Sequence, residues 1–344
     1  MSTPREIVKQ ALTFQYPERL PRDLWTLPCA EMQHPDALAA LRTRYPSDFQ
    51  PSPNVYAPSQ RRKGDPYKIG QYTDEWGCVF NNKQNGIIGE VKEPLLNNIA
   101  DWRDVRPPKE ILEFNHAKAF DTLKRFYGST DGFVMAGTCP RPWEQYQFLR
   151  GTENAMVDLL LEIETLKRIL KIQHDFYLSE IEFWAEAAVD AIGFMDDWGT
   201  QKSLLVSPEL WREIFKPLYK EYCEAIHAGG KFVFMHSDGD ISTIYPDLIE
   251  IGVDAINSQL FVMDFDFLRQ HAKGKITFWG EIDRQYILTS ADPQISRTAV
   301  RKVAESLYDP AGGIIAQFEF GAGAHPNAAV AVYEEWEKIH AEIK

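Results

Sequence analysis

From about residue 115 onward the chain alternates short apolar runs with stretches of helical periodicity, and this alternation limits its fold more than any other feature. The apolar runs lie at 132–136, 191–195, 232–235, 255–257, 276–279 and 313–317. Between and around them, helices are expected over 117–127, 142–187 with a break near Gly151, 208–228, 241–250, 265–272, 292–307 and 328–343. Strands alternating with helices imply a parallel sheet joined by helical crossovers. Each run is continuously apolar rather than alternating, as a strand covered on both faces requires. At 344 residues, such a sheet closes most readily into a (β/α)8 TIM barrel. No GxGxxG follows the first regular strand and no GxxxxGK[ST] occurs, which removes support for nucleotide-binding open sheets. Residues 1–110 read differently: Pro-rich, aromatic and irregular, with short helices expected over 4–14 and 35–45. The expected organisation is one barrel domain over 1–344, with 1–110 as an elaborated lid or wall and 111–344 as the regular β/α part.

The net charge of -13 argues against a nucleic-acid or anionic-membrane surface, since both require clustered Lys and Arg. Cys29, Cys78, Cys139 and Cys223 are far apart and form no CxxC, which fits a reducing compartment. No apolar run approaches about 18 residues and the first residues carry no signal-like hydrophobic stretch, so a cytoplasmic location is expected.

In a barrel, chemistry gathers where strands end at their C-termini. The run at 232–235 delivers His236 and Asp238, two residues apart on an extended chain and therefore aimed the same way. Such a pair suits metal ligation or acid–base chemistry, and equally a hydrogen-bonded contact that only shapes a loop. Other strand ends carry Asp196, Asp197 and Trp198, then Asn257 and Gln259, then Glu281, then Glu319. Charged groups at strand tips are costly to desolvate unless partnered, so five polar ends are hard to explain by packing alone. The expected metal set is His236, Asp238, Glu281 and Glu319, an N- and O-donor group admitting zinc, manganese or ferrous iron. Asp196 and Asp197 are read either as substrate contacts or as caps of the helix beginning near Ser207. In the N-terminal segment, Thr73-Asp-Glu-Trp-Gly77 reads as a pocket wall, with Trp76 stacking and Asp74 or Glu75 hydrogen-bonding a substrate, or as a structural turn. Trp198 is a further candidate pocket aromatic.

The block His236-Ser-Asp-Gly-Asp followed by Ile244-Tyr-Pro-Asp-Leu-Ile-Glu-Ile-Gly-Val-Asp-Ala-Ile-Asn257 closely resembles the uroporphyrinogen decarboxylase superfamily, including its cobalamin-dependent methyltransferases. The opening Arg5-Glu-Ile-Val-Lys-Gln-Ala-Leu12, the 73–77 motif and Asp196-Asp-Trp-Gly-Thr-Gln201 with Ser207-Pro-Glu-Leu-Trp211 extend the resemblance over the whole chain. It implies a (β/α)8 barrel. It speaks against a porphyrinogen substrate, because the family's Arg-rich N-terminal motif is replaced by Pro21-Arg-Asp-Leu-Trp-Thr-Leu-Pro28 with only Arg22 basic. The zinc methyltransferases of the superfamily bind metal through a His-x-Cys pair and a later Cys. Here Asp238 and Glu319 stand near the thiolate positions, so the resemblance implies a similar site with harder ligands.

The function expected is therefore methyl transfer between a small organic substrate, such as a methoxylated one, and a corrinoid. His236, Asp238, Asp196 and Asp197 would form the catalytic group, with a divalent metal at the barrel mouth. The chain has no Asp-x-His-x-x-Gly cobalamin motif, so the corrinoid would arrive on a partner protein or free; a homodimer is compatible with the reading. A cofactor-independent decarboxylase or lyase acting on a small acid is the alternative, and a non-catalytic ligand-binding barrel the third reading.

Overall fold

A computed structural model describes residues 1–343. Its strands, in chain order, are β1 (Arg22–Thr26), β2 (Phe49–Pro51), β3 (Gly70–Thr73), β4 (Val79–Asn82), β5 (Glu90–Val91), β6 (Phe133–Met135), β7 (Ala191–Met195), β8 (Phe232–Ser237), β9 (Ala255–Ser258), β10 (Thr277–Trp279) and β11 (Ile314–Phe320). Eight of them pair side by side in the order β1-β11-β10-β9-β8-β7-β6-β2, every ladder parallel. Because β11 returns to β1, only the β1–β2 seam lacks a ladder, and the backbone N–H of Asp48 donates across it to the Arg22 carbonyl at 2.8 Å. This is the expected (β/α)8 TIM barrel. Among the described residues no helix is long and apolar enough to cross a membrane.

All six apolar runs form barrel strands, and the helices fall close to their expected spans, with the long 142–187 stretch divided into Pro142–Arg150, Thr152–Leu161 and Ile163–Glu186. The division of labour between 1–110 and the remainder differs from expectation. The N-terminal part supplies two of the eight barrel strands, β1 and β2, besides an antiparallel sheet β3-β4-β5. Neither strand announces itself. In β1 the inward polar side chain Asp23 is buried because the indole N–H groups of Trp25 and Trp279 donate to it, at 3.1 and 3.0 Å. β2 is three residues long and ends in Pro51.

Phe49, Phe133, Ala191, Phe234, Ala255, Trp279 and Ile315 fill the barrel interior, one from each of seven strands. Val8 and Leu12 of the first helix, Pro4–Leu12, join that cluster and stopper the end opposite the strand tips. That helix begins in a capping box in which Thr3 and Glu6 satisfy each other's backbone N–H. A second, larger apolar layer lies between the strands and the surrounding helices.

Candidate functional site

Parallel pairing places His236 of β8 level with Met195 of β7 on one side and with Asn257 of β9 on the other. His236 Nδ1 lies 2.6 Å from Asn257 Oδ1. The Asn257 amide nitrogen donates to the Trp279 carbonyl at 2.6 Å and to Gln317 Oε1 at 2.9 Å. A backbone carbonyl can only accept, so the amide orientation is determined and its oxygen faces the imidazole. Nδ1 therefore carries the hydrogen, and Nε2 is turned outward. Asn257, expected as a substrate contact, is fully buried instead and orients the histidine.

Nε2 of His236 faces two carboxylates, Asp197 Oδ1 at 3.5 Å and Asp238 Oδ1 at 3.6 Å. One ligand atom from each of the three residues lies within 4.8 Å of the others. Asp238 Oδ1 is buried and accepts no hydrogen bond. A bare imidazole lone pair pointed at two carboxylate oxygens is repulsive, so the arrangement calls for positive charge among them. A proton on Nε2 or a metal ion supplies it. One nitrogen and two oxygen donors, with the imidazole oriented by a buried amide, fit zinc, manganese or ferrous iron. Loop geometry brings Asp197 to Asp238. The Gly199 N–H donates to the Asp238 carbonyl at 2.9 Å and the Asp238 N–H donates to Asp197 Oδ1 at 2.9 Å. Gly239, at φ +80°, lies so close to Gly199 that a Cβ there would sit 2.1 Å from the Gly199 carbonyl carbon.

Two of the four expected metal ligands are placed otherwise. The guanidinium of Arg284, from the loop after β10, pairs tightly with Asp238, and lies 3.7 Å from Glu281 and 3.3 Å from Glu319. An internal cation thus occupies the space between the carboxylates, and Asp197 replaces Glu281 and Glu319 beside His236. Burial, opposed by Arg284 and reinforced by Asp238 and Glu319, pushes the Glu281 carboxyl up to about 8.

Asp196 is not a substrate contact. It is fully buried, and its carboxylate accepts from the backbone N–H of Trp143 (2.9 Å) and of Glu144 (2.7 Å) and from the Tyr219 hydroxyl (2.6 Å). It caps the helix Pro142–Arg150 from a neighbouring strand, because Arg141 at the cap position offers no side-chain hydrogen bond. Burial, with the Glu144 charge, pushes its carboxyl well up, against the pull of those donors. The helix beginning at Pro208 is capped by Ser207, not by Asp196 or Asp197. Trp198 is also fully buried, stacked 5.5 Å from Trp143 and donating to Tyr219, so it is core rather than pocket. Gln259 accepts the Gly239 N–H at 3.2 Å and lines a small hollow with Gln201, Glu281 and Arg284.

A cleft of about 1210 Å³ opens between the loop after β6 and the β3-β4-β5 sheet. Asp74, Glu75 and Trp76 line it, together with Arg141, Glu144 and Glu180. Trp76 is nearly buried, in a T-shaped contact with Phe176 at 5.5 Å, and leaves little of its ring to the cleft. Burial raises Asp74 to about 7 and Glu180 to about 7. Glu144 joins the cleft to the histidine site: it lines the former, while the charges of Asp197, His236 and Asp238 bear on its carboxyl, which burial also raises. Arg141, Glu180 and Arg284 were not anticipated. Arg141 lies in the loop after an apolar run, where the strand-end rule already points.

The family described as uroporphyrinogen decarboxylase (URO-D) matches residues 72–338. Among solved structures, a methyltransferase from Methanosarcina mazei superposes with a TM-score of 0.69 at 13% identity, covering 99% of this chain and 100% of that one. The native xylanase 10B from Thermotoga maritima gives 0.46 at 14% identity, with 99% of each chain covered. At 13% identity the likeness to the methyltransferase is one of fold. A search of curated proteins returns no match. With more than half of its length matched, the chain belongs to the uroporphyrinogen decarboxylase family.

Proposed function

We propose that this protein is a methyltransferase-like enzyme that moves a methyl group between a small organic substrate in the large cleft and a corrinoid brought by another polypeptide. The observation that carries the proposal is the outward-facing Nε2 of His236 set against the carboxylates of Asp197 and Asp238. Family membership and the fold shared with a methyltransferase support it. A divalent cation held by these three residues, zinc foremost, would supply Lewis acidity toward a substrate oxygen from which a methyl group departs. The protein's own groups do the remaining work. Asn257 keeps the imidazole ring in one tautomer and one orientation. Arg284 offsets the charge of the acids around the site, so that Asp238 and Glu319 do not repel an electron-rich substrate. Positioning in the cleft lowers the barrier further, because a donor held in line needs no additional ordering.

The test incubates the protein, with and without added zinc, with a panel of O- and N-methylated donors and reduced cobalamin, and follows methylcobalamin by absorbance. Turnover lost in His236→Ala and Asp197→Ala is the expected result; no turnover across the panel in the metal-loaded protein refutes the reading. A second reading rests on Glu281, whose carboxyl is raised to about 8 and therefore holds a proton at neutral pH beside the site. It could serve as general acid in a decarboxylation. Carbon dioxide release from a small acid without any corrinoid would identify that chemistry.

A further inference from the structure

Two arginines line the large cleft: Arg62, whose guanidinium lies 5.7 Å from the Tyr72 ring centre, and Arg141, whose charge no oxygen among the described residues holds at hydrogen-bond distance. Arg141 lies in the loop between β6 and the helix Pro142–Arg150, and its side chain is 35% exposed, toward the cleft it lines. The nearest carboxylate is Glu144 at 3.7 Å, beyond hydrogen-bond length, and the thiol of Cys139 is its other close neighbour. Among the described residues no protein oxygen accepts a hydrogen bond from this guanidinium. The contrast with the chain's other recessed arginines is sharp. Arg150 is saturated by Asp158 and two backbone carbonyls, and Arg284 is hydrogen-bonded to Asp238 with Glu319 at 3.3 Å. A guanidinium presents a planar fork of donors matched to a carboxylate. The lining of the cleft is mixed: Tyr56, Tyr72, Phe80, Phe148 and Tyr177 give it aromatic surface, while Asp74, Glu75, Glu144 and Glu180 give it carboxyls, two of which, Asp74 and Glu180, burial pushes up to about 7.

We propose that Arg141 is a carboxylate anchor and that the cleft takes a flat, aromatic organic acid, held by its carboxylate on Arg141 with its ring between the aromatic walls. The proposal deepens the methyl-transfer reading by naming the substrate class. Glu144, which lines the cleft near Arg141 and also feels the charges of His236, Asp197 and Asp238, marks the side on which the substrate's reacting group meets the histidine site. At about 1210 Å³ the cleft exceeds what such an acid needs, leaving room for a second reactant beside it.

Binding can be measured without turnover, so its outcome is separable from that of the methyl-transfer assay. Calorimetric titration of the purified protein would compare 4-methoxybenzoate, the isosteric 4-methoxybenzamide and cyclohexanecarboxylate. A charge-assisted bidentate contact predicts that the aromatic acid binds about 10- to 100-fold tighter than its amide. The preference should vanish in Arg141→Met and survive in part in Arg141→Lys, with melting temperatures confirming that both variants are folded. Tighter binding of 4-methoxybenzoate than of cyclohexanecarboxylate is expected from the aromatic walls. Equal affinity for acid and amide, a preference that persists in Arg141→Met, or no binding of either acid at millimolar concentration would each overturn the proposal. If the methionine variant fails to fold, the acid-to-amide ratio in the unaltered protein decides alone. If the acid binds but no methyl transfer follows, the anchor stands and the chemistry assigned to the site falls.

Discussion

Replacing Asp196 with alanine separates a structural carboxylate from a catalytic one. The side chain receives three hydrogen bonds in a site without solvent access, from Trp143 N–H, Glu144 N–H and the Tyr219 hydroxyl. Pro142 occupies the first helical position and has no N–H, so Asp196 serves the first two backbone donors the helix actually possesses. Leaving a buried donor unsatisfied costs about 1–3 kcal/mol. Three such donors set a ceiling of several kcal/mol, and two effects reduce it. Burial of the carboxylate was itself costly, and water can enter the small space left by truncation. A net loss of about 3 kcal/mol is expected, typical of a broken buried network. With an m-value near 3 kcal/mol/M, the urea midpoint should fall by about 1 M. Tyr219→Phe should cost about 1 kcal/mol, and the double variant less than the sum, because both changes act on one network. Any activity should fall through a weaker KM, since the same helix carries Glu144 and starts at Arg141. A midpoint within about 0.2 M of the unaltered protein, joined to a loss of turnover in kcat, would refute the capping role and return Asp196 to the catalytic group.

Glu281 is held protonated at neutral pH by its folded surroundings, at about 8 against an ordinary 4.5. Its stabilising contribution is therefore complete below about pH 4.5 and lost as pH rises toward 8; Glu281→Gln should flatten that decline by a few kcal/mol between pH 6 and 9 in urea titrations, and parallel profiles would contradict it. Asn257→Ala should weaken zinc binding about 10- to 100-fold in a chelator competition, whereas Asn257→Asp keeps the acceptor for His236 and should retain most of that affinity despite a larger loss of stability. Zinc binding unchanged in both variants would remove the positioning role. Gly239→Ala must move the Gly199 loop as well as adopt φ +80°, and a loss of about 2 kcal/mol or more is expected by thermal or urea unfolding.

The fold was legible wherever a strand is apolar on both faces. The runs at 191–195 and 232–235 needed no context, because only a covered parallel strand accommodates them. β1 and β2 escaped because their burial depends on partners: Asp23 becomes an interior residue only when Trp25 and Trp279 donate to it. At the site, His236 and Asp238 followed from the period of two along a strand, and Glu281 and Glu319 from their strand ends. What they bind to did not follow. Arg284, 46 residues from Asp238, inserts among the acids and decides which of them remain available beside the imidazole. Asp196 and Asp197 are adjacent in sequence, yet one is turned under a helix and the other toward His236. The period of backbone and the pattern of apolar residues are local properties, so the amino-acid sequence by itself determined the barrel, the family and the end where chemistry gathers. Charge pairing and burial depend on atoms far apart along the chain, so only the tertiary structure decided which carboxylates stand beside the imidazole, which histidine nitrogen faces out, and that Arg141 lines the cleft with no oxygen among the described residues at hydrogen-bond distance.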